Sequence, residues 1–278
     1  MPENAMNPLP KDLMLSGKRI HLWTNGTGPP LLLLHSAWGD AEMSWASVWN
    51  DLSANFTVIA PDLPGFGASE PLDEPTLAAN AEVLKEVLDV QKIDRAIVVG
   101  NSFGAAVAIE FASSFPERTL RIVLVNGGYL PVLPAFIRKL ISLPVVEKRF
   151  RAFIRNMNYS VKAFSKAFPN PAKLPPLFFD RIRRNEEKQA QVVFDTFMRQ
   201  TKSQAPPSAP ATMIWGTGDR LVTMTQAGII RKWLGKPDFV PIEGAGHLPQ
   251  VEQPAEFVEA MKKVGGIKGM QGEIRGNL

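Results

Sequence analysis

Apolar and polar residues alternate from Lys18 to Trp23, and the cluster Asn25-Gly26-Thr27-Gly28-Pro29-Pro30 follows. Period-two alternation before a group of turn-forming residues predicts a small antiparallel start to the chain. Leu31 to His35 is instead a continuous apolar run, the pattern of a strand covered on both faces. Further strands are expected at 56–60, 96–100, 121–125, 212–215 and 239–242. Between them the period changes: Leu77, Ala81, Leu84 and Leu88 fall at helical spacing. Other helices are expected at 44–53, at 102–115, and near 225–234 and 254–264. Regular alternation of strand and helix predicts an α/β fold with a mostly parallel central sheet.

The alternation breaks between 130 and 205, where prolines at 131, 134, 144, 169, 171, 175 and 176 separate helical pieces. Val146, Phe150, Phe153, Met157, Val161, Phe164 and Phe168 recur at steps of three and four, which predicts one amphipathic helix with Lys and Arg on its other face. The expected organisation is an α/β core over 1–129, an inserted helical cap over 130–205, the rest of the core over 206–264, and a flexible tail over 265–278.

Composition narrows the chemistry. Of 278 residues 45% are hydrophobic and 21% charged, which fits a globular protein and excludes wholesale disorder. There is no Cys, so thiolate zinc sites and cysteine nucleophiles are excluded. The N-terminal stretch is broken by prolines and polar residues, and no apolar run approaches the roughly 18 residues of a membrane span; a cytoplasmic location is the expectation. The net charge of +4 is unevenly spread, because residues 130–204 hold 15 Lys and Arg against 5 Asp and Glu.

Gly100-Asn101-Ser102-Phe103-Gly104 lies between an expected strand and an expected helix, the context that a G-x-S-x-G nucleophile turn requires. Glycines relieve crowding where a strand turns sharply into a helix, and the helix N-terminus favours negative charge beside Ser102. A serine hydroxyl needs a base, and the chain has three histidines. His21 belongs to the N-terminal hairpin. His35 ends a buried strand and suits a structural role. His247, in the loop Gly244-Ala245-Gly246-His247-Leu248 past the last strand, is the best base. The base needs a carboxylate to hold its tautomer. Asp219 follows the strand 212–215 in Trp215-Gly216-Thr217-Gly218-Asp219, whereas the other strand end that could carry an acid has Asn126, a neutral amide.

The order Ser102, Asp219, His247 resembles the α/β-hydrolase superfamily over nearly the whole chain. His35-Ser36-Ala37-Trp38-Gly39 is similar to its H-G-x-x-G oxyanion loop, and Asp62-Leu63-Pro64-Gly65-Phe66-Gly67-Ala68-Ser69 to its D-x-x-G-x-G-x-S turn. The resemblance implies that the backbone N–H groups of Ala37 and Phe103 form an oxyanion hole and that residues 130–204 are a lid. Ser36 stands where glycine is usual, which costs strain if that position needs a positive φ. Ala105 stands where many relatives have a further glycine.

A serine nucleophile implies acyl transfer, and hydrolysis of carboxylic esters of small to medium acyl groups is the expectation. Gly100-Asn101-Ser102 is also similar to hydrolases that cleave carbon–carbon bonds in ring-fission products of aromatic degradation. A non-catalytic ligand-binding member of the fold is the third reading. Trp38, Phe103, Tyr129, Phe136 and Leu248 are expected pocket walls. No metal or cofactor is implied. The basic lid face reads first as a solvated surface above pocket-lining Phe, Met and Ile. It would also suit an anionic substrate, an acidic carrier or anionic lipid. No nucleic-acid-binding motif accompanies it.

Overall fold

A computed structural model describes residues 8–265. Of the tail expected over 265–278, Gly265 is the last residue of a helix and the rest lies outside the described residues. Eight strands form one sheet: β1 (Leu9–Leu15), β2 (Lys18–Asn25), β3 (Pro30–Leu34), β4 (Thr57–Pro61), β5 (Ala96–Asn101), β6 (Thr119–Val125), β7 (Ala211–Gly216) and β8 (Asp238–Ile242), in the order β1-β2-β4-β3-β5-β6-β7-β8. The pairs β1/β2 and β2/β4 are antiparallel and all others parallel.

The sheet explains the continuous aliphatic runs. Successive side chains of a strand point to opposite faces, so Leu32, Leu34, Val98, Ile122 and Leu124 pack on one side. Leu31, Leu33, Ile97, Val99, Val123 and Val125 pack on the other. The first face is covered by α3 (Leu77–Val90), α4 (Phe103–Ser114) and α10 (Met224–Trp233). The second is covered by α1 (Ala41–Trp45), α2 (Trp49–Ser53) and α12 (Pro254–Gly265). The short α11 (Pro249–Glu252) precedes α12.

Two details differ from the sequence-based expectation near the N-terminus. The proline-broken segment before Lys18 contains a full edge strand, β1, whose residues are mostly exposed; Pro is tolerated there because an edge strand need not donate on both sides. The hairpin turns at Ser16-Gly17, both with positive φ, as a two-residue primed turn requires. The helix expected over 44–53 is two short helices, α1 and α2.

Between β6 and β7 the chain leaves the sheet and forms α5 (Ala135–Ile141), α6 (Pro144–Tyr159), α7 (Val161–Ala167), α8 (Phe178–Arg184) and α9 (Glu186–Arg199). The single helix expected over 146–168 is broken at Ser160, whose backbone is extended and whose hydroxyl accepts from Ala163 N–H at 3.2 Å. A serine at a helix start satisfies an N–H that the helix cannot, so one polar residue in the stripe ends one helix and caps the next. The stripe itself is divided. Phe164 and Phe168 are buried against Trp38, Phe178 and Leu248, whereas Phe153, Met157 and Val161 are exposed.

Candidate active site

The chain passes from β5 into α4 through Ser102, which holds φ 54° and ψ −112°, a strained backbone for a non-glycine residue. The neighbours explain how it is held. A Cβ on Gly100 would lie 2.2 Å from Gly104 O, and one on Gly104 would lie 2.4 Å from Leu34 O, so only hydrogen fits at either position. Ser102 N–H donates to Val125 O at 3.0 Å. The hydroxyl is thereby presented at the end of the sheet where β3, β5, β6 and β7 all finish.

Three residues from distant loops meet there. Ser102 Oγ is 2.8 Å from His247 Nε2, and His247 Nδ1 is 2.7 Å from Asp219 Oδ2. His247 and Asp219 are both buried. Asp219 Oδ1 also accepts from the N–H groups of Leu221 and Val222 at 2.8 and 3.0 Å. Asn126 Nδ2 donates to Asp219 Oδ2 at 2.8 Å, while its Oδ1 accepts from Gly216 N–H at 2.9 Å. The relay is short and directional: with Asp219 accepting at Nδ1, the imidazole presents its other nitrogen to the Ser102 hydroxyl.

The His247 loop is fixed from several sides. His247 N–H donates to Ala167 O at 2.8 Å, and Asn101 Nδ2 donates to His247 O at 3.1 Å. The Trp38 ring meets the imidazole edge to face at 5.1 Å. Glu252 accepts from the N–H groups of Gly246 and Leu248 at 3.0 and 3.2 Å. Burial pushes the Glu252 carboxyl up to about 7, against the pull of those two hydrogen bonds.

His35 ties two loops together. Its Nδ1 donates to Ser36 O at 2.6 Å and its Nε2 accepts from Leu63 N–H at 2.9 Å, which fixes a neutral tautomer. Burial holds the imidazole below its ordinary value, opposed by the nearby Asp62 carboxylate. Asp62 accepts from Ala41 and Ala68 N–H, and burial raises its carboxyl. His21 pairs with Asp12 in the β1/β2 hairpin. Ser36 is not among the residues of positive φ, so the serine brings no strain there; its Oγ accepts from Trp38 N–H at 3.1 Å and braces the loop.

A cavity of about 490 Å³ opens on Ser102 and is lined also by Ala37, Phe103, Tyr129, Leu130, Asn158 and Ile230. Phe103 is the first residue of α4, where N–H groups lack an intrahelical acceptor. None of the lining residues is charged. Of the expected walls, Phe103 and Tyr129 line this cavity. Trp38 and Leu248 are buried behind His247 with Phe164 and Phe168, and Phe136 is exposed on α5, because its neighbours Ile137 and Ile141 are the α5 residues that face inward. A second hollow of about 560 Å³ between α6 and α9 contains none of the Ser102 relay. Among the described residues no cluster of His, Asp or Glu could hold a metal ion, and no helix is long and apolar enough to cross a membrane.

The model of the alpha/beta hydrolase family matches residues 31–260. The chain belongs to that family. This hydrolase is 27% identical over 288 residues to 2-hydroxymuconate semialdehyde hydrolase of Pseudomonas sp. (strain CF600), covering 92% of this chain and 93% of that one. Among solved structures, a bacterial membrane phospholipase A superposes with a TM-score of 0.76 at 24% identity, over 95% of this chain and 87% of the other. A thermophilic esterase from Thermogutta terrifontis does so with 0.73 at 22%, over 92% and 97%. At such identities the hydrolase shares their fold.

Sequence reasoning missed Asn101, Tyr159 and Glu252, and set Asn126 aside. Asn101, Asn126 and Tyr159 act through groups remote in sequence, whereas Glu252 accepts from backbone N–H groups four and six residues away, which no side-chain pattern marks.

Proposed function

We propose that this hydrolase cleaves neutral carboxylic esters through an acyl-enzyme, with Ser102 as nucleophile, His247 as base and then acid, and Asp219 as the group that orients the imidazole. The Ser102 Oγ attacks the carbonyl carbon while its proton passes to His247 Nε2. The carbonyl oxygen, now negative, is met by the N–H groups of Ala37 and Phe103. His247 returns the proton to the departing alcohol. Water then attacks the acyl-enzyme by the same route and releases the acid. Residues 130–205 act as the cap over this chemistry.

The observation that carries this reading is the Ser102-His247-Asp219 relay opening into a cavity whose lining has no charged side chain. A cavity of about 490 Å³ falls in the size range of small-molecule sites, which supports small to medium acyl groups. The second reading, carbon–carbon bond hydrolysis, is favoured by the likeness to 2-hydroxymuconate semialdehyde hydrolase. A muconate semialdehyde carries a carboxylate at neutral pH, however, and burying an unpaired charge is costly. The absence of a cation from the lining argues for the ester. The test is turnover of short-chain p-nitrophenyl esters beside a ring-fission dienoate. Ser102→Ala is expected to lower kcat on the ester by roughly 10³-fold or more; turnover of the dienoate with no ester hydrolysis would reject the assignment.

A further inference from the structure

The outer surface of α5 and α6 combines two properties that an ordinary solvated surface lacks. The first is apolar exposure. Ile137 and Ile141 of α5 pack inward on Val146, Phe150 and Ile154. This leaves Phe136 72% and Leu140 52% exposed, and on α6 Phe153 56% and Met157 48% exposed. Leu143, between the two helices, is exposed as well. Phe136 and Leu140, and Phe153 and Met157, are each four residues apart and so share one face of their helix, and exposed apolar side chains grouped in this way mark a contact surface.

The second property is charge. Residues 135–167 contain eight Lys and Arg and one acid, Glu147. Glu147 is paired with Arg151, and Arg155 reaches Glu187 on α9. Among the described residues Lys139, Lys148, Arg149, Lys162 and Lys166 make no ion pair, and all five are exposed.

The end of α6 and the segment before α5 border the Ser102 cavity. Asn158, next to Met157, and Pro131, just before α5, line it, as does Ile229, which is half exposed on α10.

We propose that the outer face of α5 and α6 docks this protein onto an anionic lipid bilayer. Phe136, Leu140, Leu143, Phe153 and Met157 enter the boundary between headgroups and acyl chains, and Lys139 and Arg149 meet the headgroup phosphates. Charge complementarity selects this occupant. A second copy would bring an equally basic face against the first, and an acidic protein would satisfy the cations without any need for so many exposed large apolar side chains. A basic helical surface with protruding Phe, Leu and Met meets both requirements at a lipid interface, where apolar burial and attraction to anionic lipid act together. Docking does not depend on which bond Ser102 breaks.

The experiment is co-sedimentation of the full chain with vesicles of phosphatidylcholine alone and of phosphatidylcholine mixed with phosphatidylglycerol. Binding is expected to be at least about tenfold stronger on the mixed vesicles and to weaken as salt is raised. The double variant Leu140→Ser/Phe153→Ser and the double variant Lys139→Glu/Arg149→Glu should each lose about tenfold or more of that binding, while retaining the wild-type melting temperature and turnover of a soluble ester. The single variant Arg149→Glu, at an exposed site, covers the case in which a double variant is unstable, with a smaller loss in the same direction. Equal affinity for both vesicle types, or none for either, overturns the proposal. So does loss of binding only on charge reversal, which would mean adsorption by charge alone with no entry of the apolar side chains. A concentration-dependent dimer that Leu140→Ser/Phe153→Ser abolishes would assign the face to a second copy and overturn it equally.

Discussion

The Asp219 carboxylate takes four hydrogen bonds, and one of them comes from Asn126, a residue whose neutral amide ruled it out as the acid. Asn126 holds φ 42°, a conformation that asparagine tolerates better than most residues, and so turns its side chain back towards Asp219 Oδ2. A hydrogen bond to a charged group contributes about 1.5–3 kcal/mol. Asn126→Ala is therefore expected to lower kcat by about tenfold with KM little changed, because Asp219 loses a positioning donor and the cavity keeps its lining; steady-state kinetics on an ester checks this. Glu252 predicts a pH effect. Its carboxyl titrates near 7 in the folded protein against an ordinary 4.5, so the folded state holds a proton that the unfolded chain releases. Its contribution to stability is complete below pH ~4.5 and is lost as pH rises through about 7, by an amount on the order of 3 kcal/mol. The melting temperature of wild type relative to Glu252→Gln should fall between pH 5 and 8, and a difference that is flat with pH would remove this account. At this scale Ser102, His247 and Asp219 were legible because each sits in a glycine-marked turn after a strand. Asn101 and Asn126 were not, because their partners are set by the tertiary fold, and Glu252 was not, because its bonds to loop N–H groups four and six residues away leave no side-chain pattern.

Among the elements, β3, β5 and β6 were readable from their aliphatic runs, since a strand covered on both faces admits little else. β1 was not, because an edge strand with one mostly wet face can carry Pro10, Lys11 and Asp12. The stripe from Val146 to Phe168 misled in another way: helical spacing shows that one face is apolar, not what covers it or where the helix ends. The break at Ser160 lets α6 finish beside the 36–39 loop, where Tyr159 OH donates to Ala37 O at 2.9 Å and Trp38 Nε1 donates to Asn158 O at 3.0 Å. Tyr159 is buried, which raises its hydroxyl well above the ordinary range and keeps it a donor. Removing that donor with Tyr159→Phe should lower stability by about 1 kcal/mol, and should reduce kcat several-fold if Ala37 N–H serves the oxyanion. Denaturant melts and kinetics together separate the two effects: lost stability with unchanged kcat would show that the contact only holds the elements together.

Across the whole molecule the segment inserted between β6 and β7 is joined to the rest of the chain through groups close to the relay. Gln189 Nε2 donates to Gly39 O at 3.0 Å, Gln204 Nε2 donates to Ala106 O at 2.8 Å, and Arg220 N–H donates to Lys166 O at 2.9 Å. Such ties predict that the two parts melt in a single cooperative transition, with calorimetric and van't Hoff enthalpies in agreement; two resolved transitions would contradict it. The ties at α7 also limit how a substrate can enter. Lys166 O anchors the segment after Asp219, and Ala167 O anchors His247 itself, so lifting α7 would pull apart the groups that the proposed reaction needs together. On the proposed reading of Ser102 and His247, α7 is thus a fixed shoulder of the pocket, bolted to the loops that carry the relay.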